Sequence, residues 1–85
     1  MVLWRDDIDA LSFRPAGGDV FCMVHRLAFR TLMGRPSSKD ECLAWFESHR
    51  EAFEVAAQAK LAQGTVGNFH LTSRDIAGQL QAFSR

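Results

Sequence analysis

The sequence lacks the features that mark three broad classes of protein. Its 85 residues include only two cysteines, too few for the disulfide framework of a small secreted domain. No apolar run approaches the roughly 18 residues that a membrane-spanning helix needs, so we expect no membrane span. Ten basic and ten acidic side chains cancel, which argues against a strong general affinity for nucleic acid or for an anionic membrane.

The amino-terminal segment also lacks the order of a signal peptide, in which basic residues precede an apolar stretch. We therefore expect a cytoplasmic location, with Cys22 and Cys42 reduced and at least partly buried. A chain of this length has room for one hydrophobic core only. Residues 1–85 are accordingly predicted to form a single domain.

The longest periodic segment covers residues 38–63 and predicts one continuous helix. Ser38 and Glu41 have the capping-box spacing at its start, and Gly64 follows it as a usual stop. Projected at about 100° per residue, the segment shows an apolar arc roughly 200° wide. A helix with such an arc is expected to be covered by more than one neighbour.

Shorter segments on either side of this helix predict strands and two further helices. Residues 10–14 and 20–24 flank a glycine-rich turn and predict a hairpin, and residues 69–71 predict a third strand. Residues 2–4 either form a short edge strand or pack across the sheet. Residues 25–33 predict a short helix that ends at Gly34.

A final helix is predicted to begin at Thr72 or Ser73, with Ile76, Leu80 and Phe83 on its apolar face. The predicted elements follow one another in the order β-β-α-α-β-α. The fold class is therefore α+β, with a three-stranded antiparallel sheet packed with helices.

A set of mostly apolar residues with fixed spacing extends over almost the whole chain. They are Val20, Cys22, Val24, Leu27, Gly34, Phe46, Arg50, Phe53, Ala57, Phe69, Leu71, Thr72, Asp75 and Ile76. In these residues the chain resembles the bacterial family described as domain of unknown function 1488. The resemblance implies a small bacterial α+β protein with three antiparallel strands. It implies no activity, because the family has none that can be carried over.

Cys22 and His25 have the C-x-x-H spacing of a metal-ligand pair, and Cys42, His49 and His70 are further residues of ligand type. A structural zinc site usually shows two such close pairs, so we predict no metal site and no cofactor. Cys22 with His25 or His70 would suit nucleophilic catalysis. No nucleophile motif accompanies them, so no catalytic residue is predicted.

Three arginines, Arg26, Arg30 and Arg35, are close together in the sequence and are candidate contacts for phosphate groups. The absence of net charge keeps this basic group a secondary candidate. Arg50 is predicted to have a structural role at the boundary of the core. Its stem would cover apolar surface while its guanidinium meets a glutamate on the same side of the helix.

The second stripe of the long helix is the predicted partner-binding surface. It consists of Trp45, His49, Ala52 and Ala56, with Cys42 alongside. One sheet covers only one side of a helix, so the rest of the wide arc is predicted to meet a second copy of the chain across a two-fold axis. The competing prediction is that the last helix folds back onto the same stripe.

These observations favour a non-enzymatic, small cytoplasmic interaction or regulatory module that forms a homodimer. The alternative is a weak nucleic-acid-binding protein that uses the three arginines. An enzyme with an unrecognised site is the third reading, because no constellation of catalytic residues can be drawn from the sequence.

Overall fold

Four strands and four helices make up the part of the chain that the computed structural model describes, residues 2–83, with side chains through residue 80. The strands are β1 (Val2–Arg5), β2 (Ala10–Phe13), β3 (Cys22–His25) and β4 (Phe69–His70). The helices are α1 (Arg26–Met33), α2 (Lys39–Ser48), α3 (Arg50–Ala62) and α4 (Ser73–Phe83). The predicted α+β class is confirmed. None of the described helices is both long enough and apolar enough to cross a membrane.

A single mixed sheet joins the strands in the order β1-β2-β3-β4. The pairs β1–β2 and β2–β3 are antiparallel, whereas β4 runs parallel to β3. The predicted three-stranded antiparallel sheet is therefore wrong in two details, because residues 2–4 belong to a fourth strand and the last strand is parallel. The physical reason for the second error is the connection. Three helices lie between β3 and β4, and a crossover of that length can return the chain in the same direction.

The helix predicted over residues 38–63 is in fact two helices that meet at His49. The backbone of His49 leaves helical geometry, with φ −123° and ψ 26°. Its ring Nδ1 lies 2.9 Å from the carbonyl oxygen of Trp45. A side chain that bonds to a carbonyl of the preceding turn disturbs the helical ladder and is a recognised cause of a kink. His49 is the N-cap of α3 and its side chain makes no capping hydrogen bond, so no capping motif marks this second helix start.

The break at His49 also explains the wide apolar arc. A helical wheel assumes a uniform rotation per residue, so projection across the break merged two separate buried faces into one. In α2 the buried residues are Cys42 and Phe46, one turn apart. In α3 they are Ala52, Phe53, Ala56 and Ala57. Each face alone is narrower than the merged arc, and a surface helix needs only one such face.

Side-chain caps fix where α2 and α4 begin. The N–H of Glu41 donates to Ser38 Oγ at 3.2 Å, and the N–H of Ser38 donates to Glu41 Oε1 at 2.9 Å, which confirms the predicted capping box. Thr72 and Asp75 exchange the same two bonds before α4, at 2.9 and 3.2 Å. Gly34 ends α1 in the left-handed region at φ 75°, where glycine is favoured because it has no Cβ.

The hydrophobic core lies between the helices and one face of the sheet. Phe13 of β2 packs against Phe46 and Phe53, with ring centroids 5.0 and 6.4 Å apart. Further core residues from the strands and from α4 are Leu11, Cys22, Val24, Phe69, Leu71 and Ile76. Ile76 and Leu80 of α4 pack in or against this core as predicted, and Phe83 lies outside the described side chains.

Replacement of Ser38 by alanine is expected to lower the free energy of unfolding by about 1 kcal/mol, because it removes the acceptor for the Glu41 N–H. The matched control is Ser48→Ala, since Ser48 is exposed and alanine is the better helix former. Urea denaturation of both variants measures the difference. Equal losses in the two variants would contradict the capping argument.

Candidate functional site

The face of the sheet that points away from the core carries its own set of side chains and is called here the open face. Side chains alternate along a strand, so the residues between the core positions lie on it. They are Leu3 and Arg5 around β1, Ala10, Ser12 and Arg14 around β2, Phe21, Met23 and His25 around β3, and His70 of β4. None of these residues belongs to the main core cluster or packs against it as a partly buried neighbour.

The open face is closed at its centre and exposed around the rim. Ser12 is only 4% exposed and Met23 only 6%, although neither belongs to the core cluster. Ser12 is small and stands directly between two longer side chains, Leu3 on one side and Met23 on the other. The rim is apolar in part, because Leu3 is 55% exposed and Phe21 40%.

Two histidines stack on each other at the β4 side of the open face. The rings of His25 and His70 are 4.8 Å apart between centroids and only 2° from parallel, and both residues are exposed. This contact depends on the parallel pairing, which sets His70 opposite Met23 and therefore diagonal to His25. The Nδ1 atom of His25 lies 3.2 Å from the Ile8 carbonyl oxygen. A carbonyl only accepts, so Nδ1 carries the proton, and in the neutral ring Nε2 is the acceptor.

A cleft of about 730 Å³ adjoins the opposite end of the open face, lined by Arg14, Phe21 and the loop between β2 and β3. This loop is held by two side chains of α3. The N–H of Ala16 donates to Glu54 Oε2 at 3.2 Å, and Gln58 Nε2 donates to the Ala16 carbonyl at 2.9 Å. The position of Arg14 and Phe21 is therefore set by the helical layer as well as by the sheet.

Both cations of the open face come from the β1–β2 side. Arg5 donates from Nε and Nη2 to the two carboxylate oxygens of Asp7, at 2.9 and 2.6 Å, and this bond lowers the pKa of Asp7. Nη1 of Arg5 has no hydrogen-bond acceptor among the described residues. The nearby acids are Asp6, Asp7 and Asp9 in the β1–β2 turn and Asp19 in the β2–β3 loop, and none of them occupies a strand position. The strands therefore present cationic, aromatic and apolar groups together.

The predicted partner-binding stripe is mostly interior. Ala52 and Ala56 are 2% and 3% exposed within a single chain, and both lie on α3, against which α4 packs. Ile76 of α4 belongs to the same core cluster as Ala56. The prediction that a second copy must cover these alanines is therefore wrong. The cover comes from the chain's own helices, as the competing prediction held.

Trp45 and His49, the other two residues of that stripe, lie at the edge of the core. Trp45 is half-buried and meets Phe29 and Phe53 edge to face, at 6.2 and 5.8 Å. The His49 ring stacks on Trp45 with centroids 4.0 Å apart. The uncovered part of Trp45 lines a shallow cleft of about 280 Å³ together with Ala44, Ser48 and residues near the end of α1.

The three arginines proposed as phosphate contacts do not form a free basic surface. Arg26 makes a bidentate hydrogen bond to Asp9, with a shortest distance of 2.7 Å. This bond is the largest cause of the raised pKa of Arg26. Arg35 donates to Glu41 at 2.8 Å. Among the described residues, Arg30 is the one member of the three with no carboxylate in salt-bridge distance.

The Cys22–His25 pair is separated by the sheet itself. Residues three apart in a strand point to opposite faces, so Cys22 lies in the core while His25 and His70 lie on the open face. Burial raises the pKa of Cys22 to about 12, so its thiol is protonated at neutral pH. No group of three or more His, Cys, Asp or Glu suited to a metal occurs among the described residues.

Neither Cys22 nor Cys42 is expected to react with a disulfide reagent at pH 7 while the protein is folded. Both thiols are buried, and burial is the largest cause that raises the pKa of each. The thiolate is the reactive form, so reaction should follow unfolding of the chain. Colorimetric titration in buffer and in denaturant checks this. Rapid labelling of one thiol in buffer would show that the core opens locally.

Arg50 makes the kind of contact predicted for it at the edge of the core. Its guanidinium carbon lies 5.4 Å from the centre of the Phe46 ring, and Nη1 donates to Glu47 Oε1 at 3.2 Å. Arg50→Ala is expected to lower the free energy of unfolding by about 1 kcal/mol, the sum of an exposed cation–π contact and an i,i+3 pair. Chemical denaturation measures the loss, with Arg30→Ala as the control. An unchanged midpoint would contradict a structural role.

Comparison with known proteins adds no assignment to this geometry. No protein-family model, no curated protein and no solved structure matches the chain. The resemblance to domain of unknown function 1488 therefore stays a prediction. The open face combines exposed aromatic, apolar and cationic side chains on one side of the sheet.

Proposed function

We propose that this protein is a small, non-enzymatic interaction module that binds its partner through the open face of the sheet. The observation that carries the proposal is the exposure of Phe21 and Leu3 beside two arginines and a histidine pair. Exposed aromatic side chains and arginines are enriched at binding surfaces, and lysine and acidic residues are depleted there. The strand positions of the open face follow this composition.

The rigidity of the open face also supports the proposal. Phe21 is held on both sides of its backbone, because its N–H donates to Asn68 Oδ1 at 2.8 Å and its carbonyl accepts from the Phe69 N–H at 3.1 Å. A surface that is already ordered loses little conformational entropy when a partner binds. The position of the exposed ring is therefore suited to recognition.

Self-association is a second candidate, now restricted to a smaller surface. Burial of Ala52 and Ala56 removes the helix stripe on which the homodimer was predicted, but the uncovered part of Trp45 still faces the shallow cleft. Light scattering at tens of micromolar distinguishes a monomer from a homodimer through this surface. The cytoplasmic location and the resemblance to domain of unknown function 1488 remain predictions.

The test is retrieval of partners by the tagged protein from an extract of its own host, with and without nuclease treatment. Phe21→Ala and His70→Ala are expected to lose the partner that the original protein retains. Leu27→Ala is the matched control, because Leu27 is 71% exposed on α1 and lies outside the open face. Denaturation midpoints establish that each variant is folded.

Loss of the partner in Leu27→Ala but not in the two sheet variants would overturn the proposal. It would also be overturned if Trp45→Ala alone released the partner. In that case the binding surface would be the shallow cleft beside α2.

A further inference from the structure

We infer that the partner of the open face is single-stranded nucleic acid, an inference that rests on the proposed function and names its ligand. The inference rests on the placement of two kinds of side chain on neighbouring strands. Flat rings lie along β3 and β4, and guanidinium groups lie beside them along β1 and β2. Single-stranded nucleic acid offers the complementary pattern, with bases that stack and phosphates that carry negative charge.

The rings occur at two levels along β3. Phe21 and His25 are four residues apart on the same face, a separation of about 13 Å at the usual rise of a strand. Met23 lies between them, nearly flush with the sheet, and His70 extends the second level through its stack on His25. Sheet surfaces that bind RNA stack two or three bases on aromatic side chains in this way.

One arginine accompanies each level. Arg14 lines the cleft with Phe21, and the strand register that pairs Phe13 with Cys22 makes Arg14 and Phe21 cross-strand neighbours. Arg5 is in the same row as His25, with only Ala10 between them. A strand of nucleic acid that runs along β3 would therefore stack its bases on the rings and place its backbone over Arg14, while Arg5 stays paired with Asp7 and offers only Nη1.

The distribution of exposed apolar side chains on the open face favours nucleic acid over a protein partner. A stable protein interface buries about 800 Å² on each side around a dehydrated apolar centre. Here the centre of the face is already closed, because Ser12 and Met23 are buried, and only the rim offers apolar surface. Stacking needs no broad apolar centre, since each base uses the flat surface of one ring.

Binding is tested by fluorescence anisotropy with labelled oligo-dT and oligo-U of about a dozen nucleotides, and with a duplex of equal length. Arg5 is paired with Asp7, so the one unpaired arginine of the open face among the described residues, Arg14, predicts a slope of about −0.7 for log K against log salt, and Arg14→Ala should bring it close to zero. Phe21→Ala and His70→Ala should each weaken binding about tenfold by loss of stacking. The oligo-dT and oligo-U arms show whether the sugar matters.

Two controls match these variants in charge and in apolar character. Arg30→Ala removes one positive charge from α1, and Leu27→Ala removes an exposed apolar side chain from the same helix. Neither should change the affinity by more than about twofold if the oligonucleotide binds the open face, because α1 lies on the other side of the sheet.

Three outcomes would overturn the inference. They are no binding of either single strand at low salt, equal binding of the duplex, or a larger loss in Arg30→Ala than in Arg14→Ala. Failure of this inference is distinguished from failure of the proposed function by the host-extract experiment. If no oligonucleotide binds while Phe21→Ala still loses a nuclease-resistant partner from the host extract, the open face binds protein, and only the assignment to nucleic acid falls.

Discussion

The fold depends on one set of aromatic contacts, centred on Phe53. Its ring lies 4.9 Å from Phe46 of α2, 5.8 Å from Phe29 of α1 and 6.4 Å from Phe13 of β2. A single side chain of α3 thus connects all three helices of the crossover to the sheet. Each of these rings buries a large apolar area, and a small domain has few such contributions to its stability. The return of the chain from β3 to β4 follows from this arrangement.

Because the crossover helices converge on one face of the sheet, the opposite face receives none of the described helices. Ser12 and Met23 at the centre of that face are buried, while Leu3, Phe21 and the two stacked histidines remain exposed. The parallel pairing of β4 with β3 places His70 beside His25. The packing that builds the core therefore also positions the candidate binding surface, although no residue of that surface belongs to the main core cluster.

The candidate sites predicted from the sequence were mostly structural residues. Arg26 and Arg35 hold carboxylates, Ala52 and Ala56 are interior, and His49 ends one helix and begins the next. Each prediction depended on a helical projection or on distance along the chain, and neither takes account of a break or of a neighbouring strand.

Local patterns in the sequence determined the caps of α2 and α4, the end of α1 at Gly34, the β2–β3 hairpin and the alternation that sends Leu11 and Phe13 into the core. These features depend on residues only a few positions apart, so one segment contains their physical cause. Tertiary structure alone decided the direction of β4, the fourth strand and the stacking of His25 on His70. Those depend on contacts between residues far apart in the chain, and a two-residue strand such as Phe69–His70 contains no information about which neighbour it will pair with or in which direction.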